Sequence, residues 1–174
     1  MEAKAKLAGH SVHQMLIVFP LGLLATSILF DLVHLGTGDA IYAQVAYWMI
    51  IAGMIGGVVA APFGLVDWLA IPQGTRAKTI GLIHGVGNVV VLLLFFGSWL
   101  LRRDNAANPG AAAIVLSALG VALAVFTGWL GGELVDRLGV AVDDGANLNA
   151  SSSLSGKPAS QPAEGYPADR ARMV

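Results

Sequence analysis

The sequence contains no cysteine, which excludes disulfides, thiolate metal sites and iron–sulfur clusters with cysteine ligands. Charged residues are scarce: they make up 12% of the 174 residues, whereas about a quarter is usual in soluble domains. The net charge is −1, so there is no basic excess of the kind that indicates nucleic-acid binding. Hydrophobic residues reach 56% and occur in long blocks. These features predict an all-α integral membrane protein.

Four hydrophobic blocks each have the roughly 20 residues that cross a bilayer as a helix. They cover residues 12–35, 41–61, 80–101 and 111–130, and turn-forming segments separate them. The first block is too long for the core of a signal peptide and lacks a following cleavage site, so we expect it to be retained. Residues 1–142 are therefore predicted to form a four-helix transmembrane bundle. Pro62 and Pro72 bracket a short segment, 63–71, that we expect at the membrane interface.

The chain becomes polar from residue 143 onward and is rich in serine, alanine, glycine and proline. It has almost no large aliphatic side chains there, so burial cannot offset the entropy of ordering. Residues 143–174 are predicted to be an extended or disordered tail, available to dock on a partner.

Basic residues indicate the orientation in the membrane. Four spans place both termini on one side, with five basic residues there outside the polar tail and two on the other side. The first group is Lys4, Lys6, Arg76, Lys78 and Arg137, and the second is Arg102 and Arg103. The positive-inside rule then predicts cytoplasmic termini.

Polar residues of all four helices are expected in the cytoplasmic leaflet. They are His10, His13, Asp67, His84, Asn88 and Glu133. The opposite leaflet has only Asp31 and His34. Ionisable residues at membrane depth are costly and normally face the bundle interior or a cavity. The cluster therefore predicts a site, although surface pairs of Asp67 with Arg76 and of Glu133 with Arg137, and a packing role for Asn88, stay open as alternatives.

The stretch "GLIHGVGN" contains the deepest histidine, His84, with Asn88 one turn further along the same helix face. Gly81 and Gly85 flank this turn. Their spacing of four residues is typical of closely packed helices. The same glycines would also leave room for a flat macrocycle beside a ligating histidine, and the two interpretations are compatible.

Four sequence blocks resemble the bacterial membrane family called domain of unknown function 2231. They are "GHSVHQMLIVFPLGLLATSILFDL", "APFGLVDWLAIPQGTRAK", "GLIHGVGN" and "GWLGGELVDRLGV". The resemblance implies a four-helix protein of the bacterial inner membrane, and the association of some members with Rieske iron–sulfur domains implies a redox partner. His10, His13, Asp67, His84, Asn88 and Glu133 match motif positions, whereas His34 does not. Ser11 and Gln14 replace prolines of the family's first motif.

Three functions compete for the predicted site. The first is a b-type cytochrome, in which one haem near the cytoplasmic leaflet is held by two histidines from facing helices. His13 and His84 are the expected axial pair, with His10 at a propionate, Asn88 nearby and the glycines at the porphyrin edge. Electrons would pass to or from a partner protein or a quinone, because the chain offers no other redox ligands.

The second function is a non-haem Zn, Fe or Mn site. Its predicted ligands are His10, His13, Asp67, His84 and Glu133, a mixed nitrogen and oxygen set. In the cytochrome alternative, Asp67 would instead orient a ligating histidine. The third function is a structural or assembly subunit whose polar cluster is an interhelical network. A stand-alone enzyme is less favoured, since no serine, cysteine or lysine nucleophile lies beside a base in the sequence.

Overall fold

The structure, a computed structural model, describes residues 1–167, and residues 168–174 of the predicted tail lie outside the described residues. A small antiparallel hairpin begins the fold, with β1 at Lys6–Leu7 and β2 at His10–Ser11. Its turn uses Gly9 at a φ of 82°, a backbone conformation that favours glycine. The hairpin leads directly into the first membrane helix.

The first span consists of α1 at Val12–Leu16 and α2 at Val18–Thr37. Ile17 between them keeps helical dihedral angles. The N–H of Ile17 donates to the carbonyl of His13, and the N–H of Leu21 donates to that of Ile17. The helical ladder therefore continues through the break, and the span is one helix for residues 12–37.

Three long helices follow, and the last ends in a wider turn. They are α3 at Ala40–Ala70, α4 at Arg76–Arg102 and α5 at Ala111–Gly132, with a π-helical turn at Glu133–Arg137. Side chains at two of the helix starts satisfy free backbone donors: Asp39 accepts from the N–H of Ile41, and Thr75 from that of Lys78. All four spans are long and apolar enough to cross a membrane, which confirms the predicted four-helix membrane class.

Residues 63–70, predicted to lie at the membrane interface, are not a separate element, because α3 continues through Pro62 to Ala70. Proline removes one backbone donor, and transmembrane helices tolerate this where neighbouring groups compensate. The foot of α3 is also held by packing. Trp68 and Ile71 contact an apolar cluster with Ile80, Leu130 and other residues of α4 and α5, so this end belongs to the bundle.

The helices pack chiefly as two antiparallel pairs, α2 with α3 and α4 with α5, and lighter α3–α4 and α2–α5 contacts close the ring. The first span and α4 are therefore parallel and diagonally opposite. Large apolar side chains cover the outer surface, as Trp48, Val125 and Trp129 illustrate. A surface of this kind contacts the lipid bilayer.

The start of the chain meets residues 139–143 at one end of the bundle. The ammonium group of Met1 donates to the carbonyl of Gly139, and Lys6 forms an ion pair with Asp143 at 2.6 Å. Beyond residue 143 the described tail consists of turns, one 3₁₀ turn at Ser153–Ser155 and one isolated bridge. We call residues 1–11 together with 139–167 the terminal cap.

Candidate functional site

His13 and His84 face each other below the terminal cap. Their ring centres lie 6.5 Å apart and their planes are nearly perpendicular, at 85°. Nδ1 of His13 is 3.1 Å from the carbonyl oxygen of Ala60 in α3, and Nδ1 of His84 is 2.8 Å from that of Thr127 in α5. Because a carbonyl only accepts, each Nδ1 carries the proton and each Nε2 is left as an acceptor.

The Nε2 atoms of the two histidines differ. At His84 this atom accepts from Nδ2 of Asn88 at 3.1 Å, and Oδ1 of Asn88 in turn accepts from the hydroxyl of Thr127 at 2.9 Å. His84, Asn88 and Thr127 therefore form a closed network between α4 and α5. At His13, Nε2 has no hydrogen-bond partner within residues 1–167. Asn88 thus has the interhelical packing role that the sequence left open.

Glycines bring backbone close to both rings. A side chain added at Gly64 would lie 2.7 Å from the ring of His13, and one added at Gly131 would lie 3.2 Å from the ring of His84. Gly81, predicted to border a porphyrin, packs instead against Trp68, whose Cδ1 would be 2.7 Å from an added Cβ. A side chain added at Gly85 would have no neighbour within 4 Å, because this position is exposed on the surface of the bundle.

Asp67 contacts neither of its predicted partners. Its carboxylate accepts from the backbone N–H groups of Lys4 and Ala5, at 2.7 and 3.2 Å, and lies 3.5 Å from the hydroxyl of Ser11. The terminal cap folds back over the foot of α3 and brings these donors within reach. Asp67 therefore anchors the cap, and within residues 1–167 it forms neither the surface pair with Arg76 nor a bond to a histidine.

Glu133 pairs with Arg76 at 2.6 Å and not with Arg137. The π-helical turn explains the difference, because the N–H of Leu138 bonds to the carbonyl of Glu133 five residues earlier and the usual four-residue alignment is lost. Since α4 and α5 are antiparallel, the start of one and the end of the other lie at the same level. This brings Arg76 within reach of Glu133.

The predicted non-haem ligands do not come together. His10 is exposed on β2, where its Nε2 lies 3.4 Å from the hydroxyl of Ser153. Asp67 and Glu133 are bound elsewhere, as described above. In the part of the chain that the structure describes, no group of three or more histidine or acidic side chains is arranged to hold a metal ion.

The opposite end of the bundle holds a second polar group that sequence reasoning missed. Nη1 and Nη2 of Arg102 donate to the two carboxylate oxygens of Asp31, both at 2.7 Å. The guanidinium also donates to the hydroxyls of Ser98, at 3.0 Å, and Ser117, at 3.1 Å. Both charged side chains are completely buried, at 0% exposure.

From the sequence, Arg102 counts only among the basic residues of that side and Asp31 only among the polar residues of that leaflet, and no contact between them is predicted. The missed signal is an acidic residue inside one apolar block and a basic residue at the end of another on the same side of the membrane. Burial without a partner would be costly for either charge. His34 lies near this end and donates to the carbonyl of Asp39, away from the histidine pair.

Comparison with protein families matches residues 9–144 to a family described as predicted membrane protein, DUF2231. The chain belongs to the DUF2231 family. The resemblance inferred from the four motifs is thereby confirmed, and the family match ends at the start of the polar tail. Membership of DUF2231 establishes a membrane protein and assigns no chemistry to it. No curated protein and no solved structure matches the chain.

Proposed function

We propose that this protein is a b-type cytochrome-like subunit of the bacterial inner membrane, with His13 and His84 as the axial ligands of one haem. One observation carries the proposal: each ring donates its Nδ1–H to a backbone carbonyl of a neighbouring helix. Metal-ligating histidines are typically held in this way, since the bond fixes the tautomer and points the other nitrogen at the metal.

The donor set fits a haem iron. Two ring nitrogens that bind one metal at about 2 Å each bring the ring centres close to the 6.5 Å found here. Perpendicular ring planes are compatible with this, because both planes can contain a common axis through the metal. Ligation requires Nε2 of His84 to leave Asn88. Of the two glycines predicted to make room for a porphyrin, only Gly85 has open space beside it.

A bound haem would supply a one-electron couple. The chain's own contribution is to hold the two imidazoles, through backbone carbonyls, on helices that belong to different helix pairs. The sequence offers no nucleophile beside a base that would convert a substrate. The proposed role is therefore electron transfer to a membrane-protein partner. The terminal cap lies on the side where the histidines are nearest to solvent, and we place the partner there.

The proposal is tested by absorption spectra of detergent-purified protein produced with haem available, oxidised and then reduced with dithionite. Six-coordinate b haem gives sharp visible bands on reduction. His13→Ala and His84→Ala are expected to lose these bands. His34→Ala, which removes a histidine at the other end of the bundle, is the matched control and should keep them. A folded wild-type protein that stays colourless would overturn the proposal.

A cofactor-free structural or assembly subunit is the second candidate. The closed network of His84, Asn88 and Thr127 favours it, because these groups are satisfied without a ligand. Metal analysis of colourless protein separates the remaining alternatives. Stoichiometric Zn, Fe or Mn that is lost in His84→Ala would support a non-haem site, and protein without metal would support the structural subunit.

The proposed orientation places both termini in the cytoplasm. Burial of Arg102 against Asp31 strengthens the charge asymmetry, because Arg103 is then the only one of the two basic residues on the other side that is exposed. Reporter fusions at Gly38 and after the last residue are expected on opposite sides of the membrane, the latter in the cytoplasm. Fusions on the same side would contradict the four-span topology.

A further inference from the structure

The histidine pair, His13 with His84, and the ion pair, Asp31 with Arg102, connect the same two helices. His13 and Asp31 both lie on the first span, and His84 and Arg102 both lie on α4. Eighteen residues separate the members on each helix. This spacing equals five turns of 3.6 residues, so each helix presents both of its members on one face, roughly 27 Å apart.

The geometry at the charged end is restrictive. A bidentate arginine–carboxylate pair fixes the relative position and orientation of two planar groups. Ser98 and Ser117 hold the same guanidinium from α4 and α5. The pair therefore restricts both the rotation of the first span against α4 and their displacement along the bundle axis.

Apolar packing restricts these quantities much less. The first span and α4 share few direct backbone contacts because they are diagonal. Between them lies a cluster of Leu24, Ile50, Val91 and Phe95. Such cores accept many arrangements of hydrophobic side chains, whereas a buried ion pair accepts few.

We infer that Asp31 and Arg102 are positioning residues for the histidine pair: they set the register in which His13 faces His84 at the far end of the same helices. The inference rests on the proposed function for what the histidines bind. It rests on the structure alone for the positioning itself, and its test is designed to keep the two apart.

The test uses cross-linking in a chain that has no cysteine of its own. One variant combines His13→Cys with His84→Cys, and its matched control combines His13→Cys with Gly85→Cys. Position 85 lies one residue further along α4 and so points about 100° away around the helix. With the ion pair intact, a short bismaleimide is expected to join positions 13 and 84 in preference to 13 and 85.

Both cysteine variants are then made in a chain carrying Asp31→Leu with Arg102→Met. Replacing a buried ion pair by hydrophobic residues of similar size is often neutral or stabilising, so this chain should fold, which circular dichroism checks. The preference for position 84 over 85 is expected to disappear. An unchanged preference in the folded protein would overturn the inference. Should the apolar chain not fold, Asp31→Asn with Arg102→Gln provides the same comparison.

Haem enters only in a separate measurement. In chains that keep both histidines, Asp31→Leu with Arg102→Met is expected to shift the reduced spectrum away from the six-coordinate form. Loss of cross-linking preference in a protein that never binds haem would leave the positioning inference standing and the cytochrome proposal refuted. Retained preference together with a normal haem spectrum would refute the positioning inference alone.

Discussion

The two ends of this bundle satisfy polar groups in different ways. At one end Asp31 and Arg102 are charged, fully buried and matched donor to acceptor. At the other, His13 and His84 are partly buried, their ring centres are 6.5 Å apart, and Nε2 of His13 has no hydrogen-bond partner in residues 1–167. At the charged end the two side chains bind each other through two hydrogen bonds, whereas the histidine end keeps one ring nitrogen without a partner in the described residues.

This contrast follows from the chemistry of the groups. A charge at membrane depth must be neutralised by a close partner, and that partner fills the space a ligand would need. A neutral imidazole carries no such requirement, so one nitrogen can be anchored to backbone while the other stays available for the proposed ligand. Under the two proposals, the same two helices carry one pair that positions and one pair that binds.

The largest effect is expected from breaking the ion pair at the charged end. Asp31→Ala or Arg102→Ala leaves an uncompensated buried charge, which costs about 3–5 kcal/mol of unfolding free energy. Denaturant titration in detergent micelles, followed by circular dichroism, measures this cost. Arg103→Ala is the control. The Arg103 side chain is 57% exposed, and its ion pair with Asp104 is long, at 3.6 Å. Losing this surface pair should cost about 0–1 kcal/mol of unfolding free energy. Equal losses in the three variants would contradict the difference between the ends.

A smaller effect is expected from glycine replacement at the histidine end. In Gly81→Ala the new methyl meets Trp68 at 2.7 Å, and the indole is restrained by its bond to the carbonyl of Lys78. Overpacking of this kind costs about 1–3 kcal/mol. Gly85→Ala enters open space and should be neutral or stabilising by up to about 1 kcal/mol. Thermal unfolding of the two variants side by side checks the order, and a less stable Gly85→Ala would reverse it.

Thr127→Val tests how much the hydrogen-bond network around His84 contributes to stability. Valine keeps the methyl group that packs against Gly87 and removes the hydroxyl that donates to Asn88. The expected cost is about 0.5–1.5 kcal/mol. Thr79→Val, on an exposed position of the same helix as His84, is the control and should change stability by less than about 0.5 kcal/mol. If the Thr127→Val cost does not exceed the control, the network contributes nothing to stability.

The smallest effect concerns the terminal cap and pH. The hydrogen bond from Lys6 holds the pKa of Glu2 below its ordinary value of 4.5. Hydrogen bonds to Asp143 and Glu2 raise the pKa of Lys6 above 10.5. The Glu2 contribution is therefore complete above 4.5 and is lost as pH falls through its lowered pKa, while the Lys6 contribution is lost only at strongly alkaline pH.

Amide exchange of residues 1–11 measures this pH dependence. The segment should be best protected between these limits and should open as the solution is made acidic, with the membrane helices unaffected. Lys6→Ala is expected to remove the acid-induced change. Opening that persists in Lys6→Ala would assign it to other groups.

Much of the fold could be predicted from the sequence, since hydrophobic length is a local property. The number of spans and the membrane class follow from the four apolar blocks, and the family follows from the motifs. The residues at which helices end were harder to predict from the sequence. Helix α3 continues past Pro62 because packing of its foot against Ile71, Ile80 and Leu130 outweighs one missing backbone hydrogen bond. The meeting of His13 and His84 was also predicted, because both lie near the same end of parallel helices.

Tertiary structure decided which polar groups contact one another. Contacts between helices depend on rotation about each helix axis and on how the ends fold back, and neither quantity is contained in a local pattern. Asp67 bonds to the backbone of Lys4 and Ala5 because the chain start returns over α3. Arg102 turns inward to Asp31 because the two helices present matching faces across the bundle. The sequence alone determined how many helices enter the membrane and which side chains they carry there, whereas the packed bundle determined which of those side chains are paired and which keep a free nitrogen.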